Sequence, residues 1–227
     1  NNVSQLTGLS FGKEGNTTGF SISNEWVING PISFRGGYMQ MKTGSGLTST
    51  EDNRDILIKV NKNIDIELDR SLVTNNGDIV LWTNPAASNI SGQIKLSSGV
   101  TLNTANGSTT SDLSDGGDII LAGGADTNND DFPDGFAKTT STYGIQLGTG
   151  VKLHSGGGDV VLRGETYNTN TSSHGIAQTG DLTIDAGTGS ILMEGKNRDG
   201  YGNWPLQLGS GTVNDISLIS AKTSGDA

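Results

Sequence analysis

The chain has no cysteine in 227 residues, only four prolines, and aromatic residues make up just 5% of it. Without cysteine there is no disulfide frame, no thiolate nucleophile and no cysteine-ligated zinc site. Hydrophobic residues reach 32% and charged residues 17%, both below ordinary globular usage. So few apolar residues do not suit a wide spherical core; they suit a thin one repeated along an axis. No apolar run approaches a membrane span and no signal peptide is visible, so membrane insertion is not expected. Basic residues are also short: 14 against 24 acidic ones, a net charge of −10. That balance argues against nucleic acid, whose phosphates need a basic surface, and against anionic membranes. It leaves two uses for the acids, solubility and cation binding.

Glycine, by contrast, is abundant at 35 residues, and short apolar alternations recur between glycine-rich turns. Ile145, Val151 and Val160 open three such alternations, and Ile176, Leu182 and Ile191 open the next three, each 31 residues on. A further copy starts at Leu206, Val213 and Ile216. Earlier copies run Ile94–Leu96, Val100–Leu102 and Ile119–Leu121, then Ile56–Ile58, Ile64–Ile66 and Ile79–Leu81. A looser one spans Val27-Ile28, Ile32–Phe34 and Met39–Met41. Residues at i and i+2 share one face of a strand, and Gly, Asn, Ser and Asp between strands supply tight turns. Three strands bent around a triangle make a rung, and six rungs stacked at about 4.8 Å reach roughly 29 Å. No helical period runs over a long window. A β-sandwich needs antiparallel hairpins, but does not require a three-strand phase kept across 31 residues.

The expected fold is therefore all-β: a right-handed parallel β-helix of about six three-strand rungs. It forms one domain over residues 1–227, with 1–25 as an N-terminal cap and rungs over 26–223. The abrupt ends at Asn1-Asn2 and Gly225-Asp226-Ala227 read as a segment of a longer protein. Length variation falls mainly after the third strand, at Trp82–Ser91, Gly124–Tyr143, Glu165–His174 and Lys196–Pro205. In a solenoid, insertions at one phase emerge at one corner. A separate excursion, Asn103–Gly116, follows a second strand.

The runs Asn75-Asn76-Gly77-Asp78-Ile79-Val80-Leu81, Ser98-Gly99-Val100-Thr101-Leu102, Gly116-Gly117-Asp118-Ile119-Ile120-Leu121 and Gly156-Gly157-Gly158-Asp159-Val160-Val161-Leu162 resemble the repeats of filamentous haemagglutinin-type bacterial adhesins and exoproteins. The resemblance covers roughly residues 55–220. It implies a right-handed β-helix, export to the extracellular space or bacterial cell surface, and a role in attachment or filaments. Expected partners are neighbouring β-helix segments or like subunits, and a glycan or a host or matrix protein. The alternative on the same architecture is a carbohydrate-active enzyme, a polysaccharide lyase or hydrolase.

Two groups of residues are candidates for a site. Asp126, Asn128, Asp130, Asp131 and Asp134 form an oxygen-rich loop, and calcium takes six to eight oxygens from such loops. The stretch resembles the aspartate-rich calcium repeats of thrombospondin type 3 modules; the competing reading is a solvated acidic loop. Asp112 and Asp115 stand near it in sequence. The second group is aromatic: Trp82, Phe136, Tyr143, Tyr167, Tyr201 and Trp204, with Phe132, lie in or beside the insertions. Gathered at one edge, they would meet a sugar or a partner protein, or they would cover the strands beneath them. Trp26 and Tyr38 lie elsewhere and read as packing. No catalytic residue is assigned. There is no Gly-x-Ser-x-Gly elbow and no phosphate loop with lysine. His154 and His174 fall at different phases and read as surface residues, while Arg163 and Lys152 stand on strands without an acidic cluster at a repeated phase. The Asp78, Asp118 and Asp159 that follow glycine before third strands read as turn residues satisfying local amides.

Overall fold

The computed structural model describes residues 6–86, 92–105, 116–168, 172–197, 204–209 and 216–219. Among them every regular element is a strand, and all pairing between strands is parallel. The first turn of chain is β1 (Leu9–Gly12), β2 (Phe20–Ile22) and β3 (Glu25–Ile28); the second is β4 (Ile32–Gly36), β5 (Met39–Met41) and β6 (Gly46–Asp52). The third is β7 (Ile56–Val60), β8 (Ile64–Ile66) and β9 (Ser71–Asn75); the fourth is β10 (Ile79–Thr83), β11 (Ile94–Leu96) and β12 (Thr101–Asn103). The fifth holds β13 (Ile119–Gly123), an extra β14 (Ala137–Thr139), β15 (Tyr143–Leu147) and β16 (Val151–His154). The sixth is β17 (Val160–Thr166), β18 (His174–Gln178) and β19 (Leu182–Asp185); the seventh is β20 (Ile191–Asn197), β21 (Leu206–Gln207) and β22 (Ile216–Ile219). The first strands of the turns stack as sheet A, the second as sheet B and the third as sheet C. The chain is a parallel β-helix of three-strand rungs.

The 31-residue phase is the register of adjacent rungs. Ile145 faces Ile176, Val151 faces Leu182, and Val160 faces Ile191. Inward side chains therefore stack in columns; one runs Ile32, Ile56, Ile79, Ile119, Val160 and Ile191 through sheet A. The columns merge into a single apolar core from Ile22 to Ala186. Each such aliphatic is removed from water by its own rung and by the rungs on either side, at about 25 cal/mol per Å² of apolar surface.

Seven rungs are seen rather than about six, and the phase expected in the N-terminal half is corrected. Ile56 and Ile79 occupy one column of sheet A, so Ile56–Ile58, Ile64–Ile66 and Ile79–Leu81 are not one copy. The missing strand is β9. It and β6 offer one inward aliphatic each, Leu72 and Leu47, while Thr74 and Ser49 are buried beside them. A polar residue facing inward breaks the alternation that marks a strand. At the other end Ile216 pairs with Leu182 and Leu218 with Ile184, so this strand belongs to sheet C instead of the third phase; Val213 lies outside the described residues. Residues 1–25, expected as a cap, contain β1 and β2 and the start of the first rung. Phe11, Phe20, Trp26 and Phe34 gather there with ring centroids 5.1–5.9 Å apart and close that end of the core.

Candidate functional site

The corner where sheet C turns into sheet A repeats one hydroxyl-to-glycine contact in three successive rungs, although after β12 it also carries the excursion that follows Asn103, of which residues 106–115 lie outside the described ones. The buried hydroxyls of Thr74, Thr104 and Ser155 donate to the carbonyls of Gly77, Gly117 and Gly158. Those glycines touch one another. A Cβ on Gly117 would stand 2.4 Å from the carbonyl carbon of Gly77, and one on Gly158 would stand 2.3 Å from the Gly117 oxygen. Only glycine permits this approach. The aspartates that follow are not satisfying local amides, as expected; they bridge rungs. Asp55 Oδ1 accepts from the Asp78 amide at 2.9 Å, Asp78 from Asp118 at 2.7 Å, Asp118 from Asp159 at 2.7 Å and Asp159 from Ser190 at 2.7 Å. Four carboxylates thus stand in a file. Burial pushes the Asp78 carboxyl up to about 6 against the opposing amide of Asp118, and the charges of Asp55 and Asp118 push the same way. Burial also raises Asp118, with Asp159 adding to it. The file is a backbone clamp with an electrostatic cost.

At the opposite corner, where sheet A turns into sheet B, the insertions emerge as expected. The longest one does more than decorate. After Gly123 the chain leaves sheet A, then returns as β14 to pair with the second half of β17, Ala137 against Gly164 and Thr139 against Thr166. On the way it covers the outer face of sheet A: Val80, Trp82, Ile120 and Ala122 form a second small core with Phe132, Leu57 and Val161.

Trp82 is therefore no ligand contact. It is 2% exposed, its indole N–H donates to the Gly124 carbonyl at 2.7 Å, and Lys59 Nζ lies 3.9 Å from the ring. The sequence places Trp82 at the insertion, but as the fourth residue of β10 it faces outward into a shelter that only the folded loop creates. Phe136 is half-buried with Lys196 Nζ 3.8 Å from its ring. Tyr143 stacks on His174 at 5.9 Å. Tyr167 is half-buried and its amide donates to the Thr139 carbonyl. Trp204 differs from all of these: it is 71% exposed, above a groove of about 440 Å³ formed with Leu206, Gln207, Leu208 and Gly209. Tyr201, Asp112 and Asp115 lie outside the described residues.

The acidic loop folds around its own carboxylates. Asp126 accepts from the amides of Asn129, Asp130 and Asp131, Asp130 from Phe132, and Asp134 from the Thr127 amide and hydroxyl. The Thr127 contacts hold the Asp134 carboxyl below the usual range. Asn129 and Asp131 adopt the left-handed conformation that such a tight winding requires, at φ 61° and 68°. Among the described residues no three Asp, Glu or His side chains converge as a metal-binding group. As arranged, Asp126, Asn128, Asp130 and Asp134 each accept from a backbone amide within the loop.

The histidines are corrected. His174 is buried in β18, and its Nδ1 lies 2.8 Å from the Trp204 carbonyl, which only accepts, so Nδ1 carries the proton. His154 is half-buried on sheet C, 3.8 Å from Asp185; burial lowers its pKa, against the pull of Asp185. Arg163 is spent on Glu194, its register partner one rung on, at 2.7 Å. Tyr38, read as packing, is 50% exposed. No residue pattern along one strand signals this, because what covers a side chain comes from neighbouring rungs. Comparisons with protein-family models, with curated proteins and with solved structures found no match for the chain.

Proposed function

We propose that the chain is a non-catalytic segment of an extracellular adhesin or surface fibre of the filamentous haemagglutinin type, which binds a glycan or a partner protein at its inserted corner. The observation that carries this reading is the contrast between a spent spine and an open edge. Inward side chains fill the core, and the corner aspartates and Arg163 bind neighbouring rungs. Trp204 stands 71% exposed over its groove. Insertion loops on a rigid scaffold are where binding groups concentrate. The test pairs a glycan array with incubation on soluble polysaccharides. Retention of a glycan or matrix protein, lost in Trp204→Ala without loss of folding, supports the reading; release of new sugar ends from a polysaccharide overturns it in favour of a lyase or hydrolase.

Calcium at Asp126, Asn128, Asp130, Asp131 and Asp134 belongs to this proposal on the strength of the loop's sequence. An ion would have to draw the Asp126, Asp130 and Asp134 carboxylates off the loop's own amides. Calorimetric titration at millimolar calcium decides it, and absence of binding heat sinks it.

A further inference from the structure

We propose that the chain binds a second copy of itself head to tail, the seventh rung of one copy stacking on the first rung of the next. The surfaces are the two ends of the coil and not the inserted corner, so the inference stands whatever that corner binds.

Inside the coil each rung is covered from both sides, and the inward residues of the sixth, Val160, Leu162, Ile176, Leu182 and Ile184, are buried. Their register partners in the seventh are open to water, Leu218 to 47%. Among the described residues no strand pairs with the outer edges of β20, β21 and β22, or with those of β1, β2 and β3. Such edges are templates for a further strand, and a solenoid end needs a polar cover to stay single. The described ends are apolar instead. Apart from Tyr38 and Leu68, the exposed large apolar side chains all lie at them, Phe11 and Val27 at one, Leu192, Leu208, Leu218 and Ile219 among those at the other.

The two ends suit each other because they share one geometry. Inward columns run one residue per rung from Leu9 to Ile191 in sheet A. They run from Phe20 to Leu206 in sheet B and from Trp26 to Leu218 in sheet C. A second copy laid on in the same parallel register sets Leu9, Phe20 and Trp26 on Ile191, Leu206 and Leu218. That is the contact every internal rung already makes. The first rung also offers a groove of about 260 Å³ among Phe11, Phe20, Trp26 and Phe34, with Phe11 46% exposed beside it. The aliphatics of the seventh rung have the chemistry to fill it.

The outer face of sheet C supplies an independent observation. One outward column begins at Val27, runs through Thr48, Val73, Asn103, His154 and Asp185, and ends at Ile219. No core requires an apolar residue at either end of it, yet Val27 is 40% and Ile219 44% exposed. At a head-to-tail junction these two become neighbours on strands about 4.8 Å apart and cover each other. Two like ends cannot reproduce the match, because turning one copy round reverses its strands and loses the parallel register. A contact between unlike ends that does not close on itself adds copies in line.

Sedimentation velocity of the whole chain over a concentration series tests this. The wild type should move from 23.5 kDa toward multiples of that mass as concentration rises. Val27→Lys and Ile219→Lys alter exposed outward positions, so their circular dichroism and melting should match the wild type. Each should weaken self-association by at least about 10-fold, since a lysine is pressed against an apolar partner. Mixed in equal amounts, the two variants should form dimers and nothing larger, because one keeps an intact tail and the other an intact head. Leu192→Lys, on the last rung of sheet A, replaces Ile219→Lys if that variant does not fold. A 23.5 kDa monomer at every concentration overturns the proposal. So does either variant alone associating with wild-type affinity, which would mean that like ends or another surface make the contact.

Discussion

The two corners flanking sheet A solve opposite problems. Where sheet C enters it, Thr or Ser, Gly and Asp recur, and the glycines and aspartates reach into the next rung. Where sheet A leaves for sheet B, the chain runs from a two-residue turn at Gly37 and Tyr38 to the excursion between β13 and β15. The first corner is constrained because glycine backbones touch, with no room for a Cβ. The second is free because its turns project outward and a longer loop closes at little entropic cost. One corner sets the stacking; the other is available for recognition.

The comparison breaks hardest at a residue that looks like decoration and is core. Trp82→Ala should cost about 3–5 kcal/mol, the usual range for a buried tryptophan, in chemical denaturation. Trp204→Ala, at the exposed end of the same edge, should stay within about 0.5 kcal/mol. If the two variants unfold alike, the loop does not shelter Trp82 as described. At the constrained corner, Gly117→Ala drives a methyl to 2.4 Å from the Gly77 backbone and should cost about 1–3 kcal/mol. A wild-type melting curve for Gly117→Ala would mean that the glycine file is not tight.

The aspartate file sharpens the comparison through pH. Burial pushes the Asp78 carboxyl up to about 6 in the folded chain, above the 3.8 of a free aspartate, so its ionisation opposes folding. The stability it contributes is full below about pH 4 and is lost as the pH rises through 6. Asp78→Asn keeps an oxygen for the Asp118 amide and removes the charge. It should stabilise the chain at pH 7.5 by on the order of 1 kcal/mol after solvent screening of this half-buried group, or about 2–4 °C in Tm. The gain should vanish near pH 4; a gain independent of pH would assign the effect to packing instead. The smallest effect belongs to the free corner. Four Gly/Ser residues inserted between Asn128 and Asn129, at the exposed loop tip, should lower stability by less than about 0.6 kcal/mol. The same insertion between Gly117 and Asp118 should prevent the rungs from stacking.

Much of this was legible in the residue order. The register of Ile145 with Ile176 and of Val160 with Ile191 follows from a repeat of 31, because alternation of period two marks an inward face and a constant spacing marks a column. The legibility ended at β6 and β9, where Ser49 and Thr74 are buried and donate to backbone carbonyls, so burial left no apolar trace. It ended again at the aromatic rings and the histidines. Trp82 and Trp204 are alike in the sequence, each beside an insertion, and differ because one loop folds back over sheet A while the other ring stands clear.

By itself the sequence determined the parallel stacking, the corner from which the insertions emerge and the columns of the core. These follow from local periodicity, which is written residue by residue. The tertiary structure alone decided which groups remain available: Tyr38 open and Trp82 closed, Asp78 paired with the next rung, His174 buried against Tyr143. Exposure and charge environment depend on atoms one rung or one loop away. Those distances are set by how the whole coil closes, and the spacing along a single strand does not contain them.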